Sequence, residues 1–389
     1  MANYISSNAN RFYVGVEASY GQAAPVSAAN RFPAVRLQAQ QLVEAGRRLD
    51  KTGTRTFRGS PTDGRRRTAF QTRTYLTSWS GATEPSYGPL FRAALGKPGQ
   101  LSSGVVVASV QNLTSIQTTL AHGLSAGSGV SFGNEVRFVT GVPDASTVVI
   151  NAPFSVTPGA NAGLRPAITY RLATALPSLT LYDYWDPITA VSRIVTGAAV
   201  DSLELSVNGD YHEFIFSGPA ADLLDSSSFT GRMAGLSSFP AEPPVQEFNY
   251  SIVPGHLGQV WLGSPADRFF TVTEASIGVN NNIDVRNNEF GSSYPTAIAP
   301  GARVVSSNFT LLAQDDAQTR ALYAAAKQRN LISTMLQLGQ QQGQLMGIFL
   351  PSMTPEIPNY KDSETRLVWE FKHNRAQGSS DDEIFIAFA

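Results

Sequence analysis

SLELSVNGDYHEFIF, residues 202–216, places Leu203, Leu205 and Val207 on one face of an extended chain and Ser202, Glu204 and Ser206 on the other. That two-residue period belongs to a half-buried strand. Asn208-Gly209 then offers the positive φ angles of a tight hairpin turn, and Tyr211 to Phe216 returns. The same alternation recurs in TRLVWEF, where Leu367, Trp369 and Phe371 share a face, in RVVSSNFTLL (303–312) and in FFTVTEASIGV (269–279). IFIAFA (384–389) is a further strand. A strand of this kind buries one face, so a second layer must cover it, and the fold class expected is mainly β.

Composition agrees. Hydrophobic residues make up 42% of the 389 and charged residues only 15%, with Gly, Ser, Thr and Asn abundant, which suits turns and strands. One segment reads as helix. DDAQTRALYAAAKQRN (315–330) opens on Asp315 or Asp316 as cap, carries Lys327 and Arg329 near its end, and has a narrow stripe of Ala317, Ala321, Leu322 and Ala325. It is expected to lie against a sheet. Residues 100–166 differ in texture: poor in charge, bounded by GKPGQLSSG and TPGANAGLRP, and made of the strand-like runs VVVASV, TTLAHGL, VSFGNEVRFVTGV and STVVINAPFSV. They are expected to form a small all-β domain inserted into a larger one of residues 1–99 and 167–389.

The chemistry-bearing patterns are weak. GLSAG (123–127), with His122 beside it, has the spelling of a nucleophile elbow, but residues 128–139 are strand-like where the elbow needs a helix. His122, His212, His256 and His373 form no metal-binding pair, and NNNIDVRNNEF (280–290) lacks the glycine and closing glutamate of a calcium loop. The carboxylates of DDE (381–383) alternate across a strand start. There is no cysteine. The expectation is a protein with no catalytic residues, no metal and no cofactor. MANYISSNANRF has no signal-peptide pattern and no apolar run approaches membrane-spanning length, so a soluble chain with no membrane partner is expected.

Charge is unevenly spread. Net charge is −1, yet residues 1–97 carry 14 Lys/Arg against 5 Asp/Glu. The densest stretch, RRLDKTGTRTFRGSPTDGRRRTAF (47–70), holds Arg47, Arg48, Lys51, Arg55, Arg58, Arg65, Arg66 and Arg67. Three readings are open to it: a nucleic-acid loop, a solvated loop, or an arm of a long hairpin that docks on an acidic surface of another copy.

RFYVGVEASYGQAAPV (11–26), with Glu17, Tyr20, Gly21 and Pro25, resembles the opening of phage tail tube proteins. The block ending in YGPLFRAALG, the strand ending in IFLP (348–351), and VWEFK before a last strand with an acidic lead are similar too. AHGLSAGSGVSF resembles a small β-module of phage structural proteins. The resemblance implies a β-sandwich or barrel with a flanking helix. It further implies hexameric rings whose sheets join into an inner barrel, stacked into a tube in the virion tail and assembled in the host cytoplasm. Tape measure, terminator and distal tail proteins would be partners, with DNA met only in transit during ejection. It also implies that the long loop reaches the next ring, which makes the eight basic residues an inter-ring stacking loop. Other readings are a ring-forming terminator or distal tail protein, and a carbohydrate-binding β-module using Trp185 or Trp261.

Overall fold

In a computed structural model of the chain, residues 4–44, 51, 53–56, 64–79, 84–245, 248, 250–362 and 365–389 are described. Two sheets enclose one core. The smaller is antiparallel, in the order Asn10–Val16, Leu179–Trp185, Arg193–Ala198, Asp222–Asp225. The larger runs from Asp267–Phe269 and Gly258–Gly263 through Ile332–Leu338, Met346–Thr354, Val368–Ala376, Val304–Leu312, Val272–Asn280, Ser202–Val207, Glu213–Ala220 and Arg66–Tyr75 to Ala34–Val43. Phe12, Leu181 and Val195 of the first sheet meet Phe70, Leu205, Phe216 and Ile277 of the second. The mainly β fold class expected from the alternation is the one observed.

A short helix that sequence reasoning did not find, Gly88–Leu95, fills the space between the sheets. Phe91 lies at ring distances of 5.2 to 5.5 Å from Phe214, Phe216 and Phe388. Every residue from Leu90 to Leu95 except Arg92 is buried, so the helix has no polar face to give a 3.6-residue pattern. It stops at Gly96, whose φ of 108° and approach to Ala173 (a Cβ would lie 2.7 Å from that of Ala173) leave room for no side chain.

The outer helix is Ala317–Gln328, with Asp316 as cap, accepting from the Thr319 amide at 2.6 Å. Its buried side is Thr319, Leu322 and Ala326, so the stripe is rotated from the expected one. Ala317 and Ala321 face solvent, being too small to gain from burial.

The 202–216 hairpin forms as expected, but its turn is wider. Ser206 pairs with Glu213, so residues 207–212 make the connection, and Asn208 alone of Asn208-Gly209 has positive φ. Tyr211 is drawn into a bridge with Pro254, and the His212 ring turns inward. Its Nε2 donates to the Leu257 carbonyl at 3.0 Å while Nδ1 has no partner among the described residues. Burial pushes the His212 pKa down to about 4; the Leu257 bond opposes this and nearby His256 adds to it. The folded chain therefore binds fewer protons here than the unfolded chain, whose histidine titrates near 6.5. Stability is full above that pH and falls by up to about 3 kcal/mol as pH drops towards about 4. His212→Gln should flatten this part of the profile in urea unfolding between pH 7.5 and 4.5. An unchanged difference between the two pH values would remove His212 as its source.

Residues 105–166 close into a six-stranded barrel in the order Gly163–Pro166, Val105–Asn112, Ser115–Thr118, Thr147–Ile150, Glu135–Asp144, Gly129–Phe132. Its core includes Val107, Ile116, Val130, Val139 and Val148. Residues 119–128 are loop, although TTLAHGL reads as strand as far as Leu124, because Gly123 and Gly127 take positive φ and the His122 ring is used locally. That ring accepts from the Leu124 amide at 2.9 Å and contacts the Asp144 carbonyl at 3.1 Å. GLSAG thus links two strands. VSFGNEVRFVTGV is two strands, broken at Gly133-Asn134, both of positive φ.

Candidate assembly surface

Arg66–Tyr75 alternates strictly. Thr68, Phe70, Thr72 and Thr74 are buried, while Arg67, Ala69, Gln71 and Arg73 face out. It pairs with Ala34–Val43 as far as Val43–Arg66, and the Glu44 amide extends the ladder to the Arg65 carbonyl at 2.7 Å. Within the large sheet, Ala34–Val43 has a neighbour on one side only among the described residues, so among them its other edge is open, and Val35, Leu42 and Val43 along the strand are exposed.

The non-core face of this half of the sheet is largely polar, with Leu42, Ala69, Ile215 and Val304 interspersed. Gln38, Gln71, Ser202, Ser276, Ser306 and Asn308 lie on it with charges of both signs, Arg36, Arg73, Glu204, Glu213 and Glu274. Arg73 pairs with Glu213, one bond measuring 2.8 Å. No second layer of described residues covers this face.

The basic stretch divides in two. Arg65, Arg66 and Arg67 stand at the root of the hairpin and contact their own subunit. Arg65 donates to the Asn288 side chain at 3.0 Å and its carbonyl at 3.2 Å. Arg66 lies over the Tyr294 ring at 4.9 Å and 3.8 Å from Asp222. Arg67 meets Glu44 at 2.5 Å. Lys51 and Arg55 lie further along and are exposed. Arg47, Arg48 and Arg58 fall outside the described residues. NNNIDVRNNEF helps to fasten the root: Asp284–Arg286 forms a two-stranded ribbon with Ala297–Ala299, and the Ser293 carbonyl accepts from the Arg66 amide at 2.9 Å. Among the described residues no cluster of His, Asp and Glu is arranged to hold a metal.

On the other half of the large sheet the small barrel covers the non-core face. Phe138 stacks on Phe349 at 5.4 Å, and Val136, Trp261, Met335 and Phe385 pack with them. Strands there are buried on both faces, which is why IFIAFA and GIFLP read as continuous apolar runs. In the middle of this contact sits Arg137, fully buried. It pairs with Glu135 at 3.0 Å, donates to the Pro153 carbonyl at 2.9 Å and the Gln337 side chain at 3.3 Å, and lies 5.0 Å from the Trp261 ring. Burial pushes the Arg137 pKa down to about 10, with Glu135 opposing. Burial alone would raise Glu135; Arg137 and hydrogen bonds from Ser155 and Gln259 outweigh it and hold the carboxyl below its ordinary value. Sequence reasoning missed this pair, although two opposite charges two apart in a charge-poor strand share one face. Trp261, 7% exposed, is enclosed here and offers no surface for a sugar to stack on. Asp381 and Glu383 both pair with Arg303, at 2.5 and 3.4 Å.

No helix among the described residues is long and apolar enough to cross a membrane. A search of curated proteins finds no match. A family model described as phage tail tube protein matches residues 7–381.

Proposed function

The chain belongs to the phage tail tube protein family, and from this we propose that it is the repeating subunit of the tube wall, a virion component with no catalytic role. Subunits form rings, hexameric by family expectation, and rings stack into the conduit through which DNA leaves. Contacts with tape measure, terminator and distal tail proteins, and assembly in the host cytoplasm, belong to the same reading.

The observation that carries it is the bare polar face beside an open strand edge. Joining that edge to a neighbour's sheet removes an aggregation hazard and extends the face around a ring. A wall that passes DNA must not hold it, since each phosphate neutralised by Lys or Arg adds affinity. Ser, Asn and Gln with balanced charge, Arg73 already paired to Glu213, meet that need.

We assign residues 100–166 as an inserted module on the outside. A barrel of this size is about 25 Å across and would obstruct a channel fitted to a duplex.

Negative-stain electron microscopy of the purified chain over a series of protein and salt concentrations tests the reading. Rings and hollow tubes that disperse as salt rises are expected, and dispersed subunits under every condition would overturn it. Within the stacking loop, Lys51 and Arg55 are the better probes, because Arg65–Arg67 also serve their own subunit. Lys51→Glu with Arg55→Glu should raise the protein concentration needed for tubes at least tenfold while circular dichroism stays unchanged. Tubes at the wild-type concentration would remove these two residues from the stacking contact.

A further inference from the structure

We propose that the end of the large sheet opposite the basic hairpin loop, at Asp210 and Glu274, is the seat on which the loop of a second copy docks in the adjacent ring. This rests on the stacked-tube reading and deepens it by naming the receiving surface.

Register fixes which residues lie at which end. Arg66–Tyr75 runs from the loop end at Arg66 to the far end at Tyr75. Tyr75 pairs with Glu213, Glu213 with Ser206, and Val207 with Ala275, so the turn containing Asp210 and the start of the strand containing Glu274 both lie at the far end. Ten residues at ~3.3 Å each separate the two ends by about 30 Å.

Charge differs between them. Lys51 and Arg55 are exposed on the loop side. At the far end Asp210 and Glu274 are exposed and, among the described residues, make no ion pair. Of the cations at this end, Arg73 pairs with Glu213, Lys372 with Glu370 at 2.9 Å, and Arg268 lies over the Phe270 ring at 4.6 Å, while exposed Arg36 lies on the outermost strand. Asp210 and Glu274 thus face solvent without an internal counter-charge among the described residues.

Shape supports the same occupant. Two grooves meet there, both lined by Asn208 and Glu274. One, of ≈ 500 Å³, runs along Ser206, Gly209, Ser276 and Asn308; the other, of ≈ 190 Å³, runs by His256 and Gln259. Where they meet at the sheet's end, the Glu274 carboxylate stands beside apolar walls from Val207, Phe269, Phe309 and Phe371, with Arg268 and Lys372 also in the linings, and this mouth would seat the tip of a Thr- and Gly-interleaved basic segment. Reach is adequate, since the twenty-two residues between Val43 and Arg66 can extend a hairpin by about 35 Å. A contact between opposite ends of identical subunits is head-to-tail and does not close on itself, which is the symmetry an open-ended stack requires.

The test is a charge swap in the full chain, read by electron microscopy and sedimentation. Asp210→Lys with Glu274→Lys should raise the concentration needed for tubes at least tenfold, and adding Lys51→Glu with Arg55→Glu should restore much of the loss. If wild type forms tubes and the acidic-end variant forms them equally well, the seat lies elsewhere while the tube reading stands. If wild type never forms tubes, the underlying reading fails. If the combined variant gains nothing, these two groups do not face each other. A second measurement is independent of charge. Because the chain has no cysteine, Arg55→Cys with Asp210→Cys should give disulfide-linked ladders on oxidation of assembled protein. Assembled tubes that yield only monomer would overturn the assignment.

Discussion

Arg137→Ala is expected to lower the stability of the subunit by about 3–5 kcal/mol, because it leaves Glu135 without its counter-charge in a site largely shut off from water. The Glu135 side chain is 7% exposed and Arg137 wholly buried. Arg137 ties two parts together: its own barrel through Glu135 and Pro153, and two neighbouring strands of the large sheet through Gln337 and Trp261. Loss of the guanidinium should therefore free the barrel from the sheet as well as weaken the whole. Limited proteolysis should cut near residues 100–104 and 166 sooner than in the wild type, and urea unfolding should show two transitions. Arg137→Met with Glu135→Leu should recover most of the stability, since an apolar pair of similar volume needs no partner. A loss below about 1 kcal/mol for Arg137→Ala would mean that the ion pair contributes little.

How much the sequence disclosed depends on period. Strands with one wet face, such as Ser202–Val207 and Val304–Leu312, announce themselves by alternation. Where both faces are covered, as in Phe385–Phe388, the apolar run still signals a strand but hides what covers its second face. Gly88–Leu95 was invisible for a related reason: a helix buried all round has no stripe, and eight residues are too few to outweigh Gly and Pro at its start. The wide 207–212 turn depends on Pro254 and Leu257, more than forty residues away, and no local pattern carries that. For the candidate surface, the basic stretch was legible as charge density. That Arg65–Arg67 would be spent on Glu44, Asp222 and Asn288 was not, because those partners arrive through folding. Asp210 and Glu274 look like ordinary solvated carboxylates in the chain and gain meaning only from lying at one end of a sheet whose other end is basic.

Glu17→Ala is expected to cost about 4 kcal/mol or more, a large share of the roughly 5–15 kcal/mol that holds a domain folded. The Glu-x-x-Tyr-Gly stretch invites a reading as a binding motif, yet the geometry makes Glu17 an internal fastener. One carboxylate oxygen accepts from the Gly21 amide at 2.8 Å and the Ser178 hydroxyl at 2.6 Å; the other accepts from the Gly197 amide at 2.8 Å and the Thr180 hydroxyl at 2.7 Å. Three chain segments are thereby pinned at one point. Burial pushes the carboxyl pKa up, and the four donors oppose it. The two amides have no freedom to turn elsewhere. Gly21 and Gly197 hold φ of 73° and 61°, and a Cβ on Gly197 would lie 2.5 Å from that of Ala221. Removing the acceptor leaves both N–H groups unpaired at about 1–3 kcal/mol each, besides the hydroxyl bonds. Glu17→Gln separates shape from charge. It keeps the volume but turns an NH₂ towards two donors, so it should lose nearly as much as alanine. Urea unfolding of the dispersed subunit gives the comparison. If glutamine retained wild-type stability, the site would be holding a protonated acid, and the fastening would rest on packing instead of on a carboxylate with four donors.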